Sequence, residues 1–138
     1  MRVMRCVMTR KESREQAFIL LFEYSFSPET ADELFSVADE AGLYVEDAYC
    51  RCVVEQAIAN ISDVDAVISE YAKGWKLERI SKVSLAALRL AIAEIMFFPD
   101  IPDSVSANEA IELVKKYATD QDASFANGIL GSYIRSRG

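Results

Sequence analysis

Residues 82–98, KVSLAALRLAIAEIMFF, are apolar on nearly every side when wound as a helix, and this stretch limits the fold more than any other. A surface helix buries one stripe and leaves the rest to water, so a helix apolar all round must be enclosed by other elements. A membrane would be one enclosure, but Arg89 and Glu94 interrupt the run, and it falls short of the roughly 18 uncharged residues that spanning needs. The remaining enclosure is protein, so the segment is expected to be the central helix of an all-α fold. A buried Arg89 then demands an anion, and Glu109 is the partner expected for it.

The flanking sequence supplies the enclosing helices. Thr9 and Glu12 form a T-x-x-E capping box for a first helix to about Phe26, with Ala17, Phe18, Leu21, Phe22 and Tyr24 on its apolar side. Ser27-Pro28 stops it, and Pro28 suits the first turn of a second helix that Gly42 ends. A third runs from about Val45 to Asn60, and Ser62 caps a fourth that Lys73-Gly74 closes. Beyond the central helix, a sixth from about Ser104 to Ala118 turns Ala107, Ala110, Ile111, Val114 and Tyr117 inward, and a seventh opens at Asp120 or Asp122. No alternating strand pattern occurs. The expectation is about seven helices in two packed small bundles, 9–60 and 62–137, within one domain spanning 9–138 and preceded by a disordered extension, residues 1–8.

Gly128 and Gly131 fall inside the seventh helix, where each costs about 0.8–1 kcal/mol relative to Ala. A phosphate-cradling loop would follow a strand and open a helix, which these do not, so close approach of a neighbouring helix is the expected compensation.

The absence of histidine, of a G-x-S-x-G elbow, of H-E-x-x-H and of G-x-x-x-x-G-K-[ST] argues against an enzyme and favours a binding module. Three cysteines without histidine leave no structural zinc set, and Cys50 and Cys52 read as core or boundary residues in preference to a redox pair. No metal and no cofactor is expected. The N-terminus lacks the apolar run of a signal peptide, which points to the cytoplasm.

Charge separates one segment from the rest. Residues 1–14 hold five Arg or Lys and a single Glu, so the remaining chain carries more than the whole net charge of −7. Cations at the first turns of a helix oppose its macrodipole, and Arg10, Lys11 and Arg14 crowd that position. They could hold successive phosphates of a single-stranded RNA, or they could be solubilising only. An acidic body does not attract a polyanion, so RNA binding would be local and assisted by a second protein.

Three segments, TRKESREQAFILLFEYSF, WKLERISKVSLAALRLAIAEIMFFPDIP and NEAIELVKKYATDQDASFANGIL, occur in the order and spacing of the bacterial transcription antitermination factor NusB, and the chain closely resembles that family from Met8 onward. The resemblance implies two small helical bundles without catalysis. It also implies binding to the boxA element of ribosomal RNA leaders together with NusE, a ribosomal protein, within the antitermination complex of RNA polymerase. Position by position, the family's arginine-rich start falls on Arg10, Lys11 and Arg14, and its RNA-facing aromatic on Phe22. Gln121 and Phe125, in the polar break before the last helix, match positions near the RNA, with Phe125 also at the NusE junction. Ser84 and Leu85, at the start of the central helix, fall on the side that meets NusE. The alternative from a different class is a helical interaction module, such as a homodimer, with no RNA affinity of its own.

Overall fold

The computed structural model describes residues 8–138, so all of the expected extension except Met8 lies outside it. Seven α-helices follow in order: α1 (Arg10–Phe26), α2 (Ala31–Glu40), α3 (Ala48–Ala59), α4 (Ile61–Tyr71), α5 (Lys82–Phe97), α6 (Asp103–Tyr117) and α7 (Asp120–Ser136), with a single 3-10 turn at Leu77–Arg79 and no strand among the described residues. α5 lies at the centre and packs on α1, α3, α4, α6 and α7; α1 also packs on α3, and α7 on α4 and α6.

Local chemistry sets the helix ends. The Thr9 hydroxyl accepts from the Glu12 amide at 3.1 Å while the Glu12 carboxylate takes the Thr9 amide at 2.8 Å, satisfying two otherwise orphaned donors. A second box, Thr30 with Glu33, starts α2 at Ala31, so Pro28 stands before the helix instead of in its first turn. α4 starts at Ile61 behind Asn60, ahead of the expected Ser62 cap. Ser81 caps α5 and Thr119 caps α7 by bonds to the third following amide.

α5 is enclosed as its composition demands. Every residue from Ser84 to Ile95 is buried, with Leu88, Leu90 and Ile92 almost completely so. Each such aliphatic side chain contributes roughly 1.5–3 kcal/mol relative to exposure. Arg89 and Glu94 lie five residues apart, which turns them about 140° from each other around the helix and aims them at different neighbours. The Arg89 guanidinium makes a two-pronged bond to Asp65 of α4, Nε and Nη2 each at 2.9 Å, and Nη1 donates to Ser25 of α1 at 3.1 Å. The expected partner, Glu109, is therefore corrected to Asp65. α6 carries Glu109 past the outer edge of α1, where it meets Lys11 at 3.2 Å.

The last helix corrects a second expectation. α7 packs inward through Ala123, Ala126, Ile129, Leu130 and Tyr133, and Gly128 faces outward. A Cβ added at Gly128 would have no atom within 4 Å, and one at Gly131 would meet only the end of the Arg135 side chain, one turn further along the same helix. Neither glycine accommodates a neighbouring helix.

Candidate nucleic-acid interface

The three cations at the start of α1 are put to three different uses. Arg14, on the inward face, is buried and donates from Nε to Glu94 at 2.7 Å. Burial alone would lower the pKa of its guanidinium, but the hydrogen bond and negative charge of Glu94 outweigh this and hold it above its ordinary value. Glu94 is itself fully buried and also accepts from the Tyr49 hydroxyl of α3 and, at 2.7 Å, from the Ser106 hydroxyl of α6. One carboxylate thus ties three helices to α5. The expected phosphate role of Arg14 is corrected to a structural one, because an (i, i+4) pair shares a helix face but sequence spacing does not say how far round that face the core extends.

Arg10 is exposed and has no ion pair among the described residues. Its guanidinium carbon lies 3.8 Å from the centre of the Tyr49 ring, a cation–π contact that leaves its N–H edges to solvent. Burial and the bond to Glu94 keep the Tyr49 hydroxyl protonated well above the usual phenol range, so it remains a donor and fixes the ring beneath Arg10. Lys11 projects into solvent with its ammonium against Glu109. Next along the same groove, Glu15 accepts from Lys116 at 2.7 Å and from the Tyr117 hydroxyl. These two bonds hold the Glu15 carboxyl below its ordinary pKa. Tyr117, expected inside, is 44% exposed, stacking its ring on Phe18 at 5.4 Å. Phe22 is half-buried, edge-on to the exposed Phe26 at 4.9 Å.

At the other bundle, Gln121 is exposed and Phe125 half-buried, both on the first turns of α7. Ser84 and Leu85 do not present a surface to a partner: both are buried, Leu85 in the core. The first turn of α5 is covered by the connection from α4 and by the start of α7. Within that cover lies a residue that sequence reasoning does not single out. Trp75 is 55% exposed and meets Phe125 edge-on at 5.7 Å. The signal that could have found it is KGWKLER, where the chain's sole tryptophan is set between cations directly after a glycine.

Comparison with known proteins identifies the family of the chain. A model of the NusB family matches residues 11–135. The transcription antitermination protein NusB of Natranaerobius thermophilus is 41% identical over 128 residues, covering 89% of this chain and 92% of that protein. NusB of Clostridium novyi is likewise 41% identical, over 94% of this chain and all of its own length. Among solved structures, a T. maritima NusB superposes with a TM-score of 0.81 at 34% identity, covering 94% of this chain and 93% of that one. The structure of the antitermination factors NusB and NusE in complex with dsRNA matches with a TM-score of 0.79 at 30% identity, covering 92% and 96%. Sequence, helix order and superposition agree across nearly the whole length, and the chain belongs to the NusB family.

Proposed function

We propose that this chain is a non-catalytic transcription antitermination factor of the cytoplasm that binds boxA-type single-stranded RNA of ribosomal RNA leaders jointly with NusE and joins the antitermination complex of RNA polymerase. The observation that carries this reading is the likeness, over 92% of the chain, to a protein solved together with NusE and RNA. The surface chemistry agrees with it. Arg10, which has no ion pair among the described residues, offers a pre-oriented guanidinium at the positive end of a helix, a suitable arrangement for a phosphate. The body of the chain is acidic, so RNA affinity gains from a basic second protein that completes the site.

The test is a titration of a fluorescently labelled boxA-type RNA, with and without NusE, at several salt concentrations. Affinity is expected to rise with NusE and fall with salt. Changing Arg10 and Lys11 to Ala is expected to weaken binding and to flatten the logarithmic salt slope by about 0.7 for each phosphate no longer neutralised. Absence of binding with NusE present would refute the proposal. Light scattering of the chain alone tests the competing reading, in which exposed Val37, Leu43 and Val45 serve a homodimer.

A further inference from the structure

Arg10 and Arg14 stand one turn apart on the same face of α1, yet the fold treats them differently. Glu94 draws Arg14 into the core at 2.7 Å, whereas Arg10 lies over the ring of Tyr49, its guanidinium carbon 3.8 Å from the ring centre. Tyr49 belongs to α3 and is clamped by α5 at two points. Its hydroxyl donates to the fully buried carboxylate of Glu94, and its ring meets that of Phe98, one turn beyond Glu94, with centroids 5.4 Å apart and planes at 62°. A ring held by a hydrogen bond at its tip and an aromatic contact at its side is a fixed platform. The surface cation therefore rests on a support whose position the core sets.

Such a support matters for an arginine as it would not for a lysine. The guanidinium is flat, and when one face lies on a ring its N–H edges point outward, so a phosphate meets parallel donors that are already aimed. A side chain that moves freely gives up that freedom when it binds, and one held on a platform has less to give up. The acid nearest in sequence does not compete for the fork, because the Glu12 carboxylate accepts from the Thr9 amide at 2.8 Å. We propose that Tyr49 is a positioning residue for RNA: without touching the strand, it holds Arg10 in the orientation that receives a phosphate, and Glu94 in turn fixes Tyr49. This deepens the RNA reading above and rests on it. It also gives one buried carboxylate two tasks, closing the core through Arg14 and aiming the surface through Tyr49.

The experiment uses the full chain with NusE and the labelled boxA-type RNA, comparing wild type with Tyr49→Leu, Tyr49→Phe, Arg10→Lys and Arg10→Ala, alone and combined, each checked by circular dichroism for folding at the assay temperature. Tyr49→Leu is expected to weaken RNA binding about 2- to 5-fold, the span of a cation–π contact at an exposed site, and Tyr49→Phe, which keeps the ring, to recover most of it. Arg10→Lys keeps the charge but loses the flat fork, so it is expected to cost a similar factor in the wild-type chain and nothing further in Tyr49→Leu. Arg10→Ala is likewise expected to cost less in Tyr49→Leu than in wild type, as residues acting as a unit do not add. A residue that only stabilises the fold would lower the melting temperature and leave both couplings at zero. RNA binding by wild type with Tyr49→Leu binding equally well would overturn the positioning role and leave the RNA reading standing. Equal losses from Tyr49→Leu with and without the Arg10 side chain would mark a direct contact of Tyr49 with RNA and overturn it as well. Were Tyr49→Leu to unfold, Arg10→Lys decides alone, since binding as tight as wild type overturns the proposal. No RNA binding by any form, wild type included, would overturn both.

Discussion

Glu94→Gln exchanges a charged oxygen for a neutral amide and is expected to be among the most damaging isosteric changes in the molecule. The wild-type carboxylate is fully buried and accepts from Arg14, Tyr49 and Ser106, so three helices lose part of their common anchor. Two routes give the magnitude. Opposite charges about 4 Å apart attract by about 4 kcal/mol at an effective dielectric constant near 20. Breaking a buried pair by neutralising one member typically costs about 3–5 kcal/mol, since the other charge stays buried without compensation. For a chain of this length roughly 3–5 °C of melting temperature accompanies each kcal/mol, so a loss of about 10–20 °C is expected in a circular-dichroism melt. Burial shields the pair from counter-ions, so the loss should persist in about 1 M salt. Adding Arg14→Met to Glu94→Gln removes the stranded cation and should recover at least about 1–2 kcal/mol. A single variant within about 1 kcal/mol of wild type, or a double variant no more stable than the single, would refute the reasoning. Arg14→Ala extends the test to function: it should lower stability while leaving the salt slope of RNA binding unchanged.

Further outcomes follow from the same contacts. Asp65→Asn should cost about 2–4 kcal/mol by breaking the two-pronged bond to Arg89, whereas Glu109→Gln, which breaks only an exposed pair, should leave the melting temperature within about 2 °C and raise RNA affinity by freeing Lys11. Gly128→Ala should stabilise the chain by about 0.5–1 kcal/mol in denaturant titration, because the added methyl group meets nothing and the helix gains propensity. The Glu15 carboxyl has its folded-state pKa below the unfolded value near 4.5. Its contribution to stability is therefore complete above that value and is lost as pH falls through the lower folded one, and Glu15→Gln should flatten this part of an acid-denaturation profile.

The site residues differ in how far sequence can place them. Arg10 and Lys11 are legible because a helix start is a local feature, marked by the Thr9–Glu12 box, and residues beside a cap are exposed in most packings. Arg14 shares their helix and so reads as part of the same site; only the position of Glu94, 80 residues away in sequence, turns its face inward. The family resemblance puts Ser84 and Leu85 on the side that meets NusE, yet the Trp75 connection and α7 cover them. Gly128 suggests close packing because composition records a missing side chain but not the direction in which it is missing.

By itself the sequence determined the all-α class, the central position of α5 and most helix ends. Each depends on the periodicity of one segment or on a cap within three residues, and so on interactions the chain makes with its own neighbours in sequence. Tertiary structure alone decided which acid meets which base. Sequence reading paired Arg89 with Glu109 of α6, but the turn of α4 against α5 brings Asp65 to it instead. Tertiary structure also brought Trp75 beside Phe125 and left the cations around them without an ion pair among the described residues. Sequence spacing fixes the phase of residues on one helix, but the relative rotation and height of two helices come from how their side chains interlock, and the polar contacts that make a site depend on both.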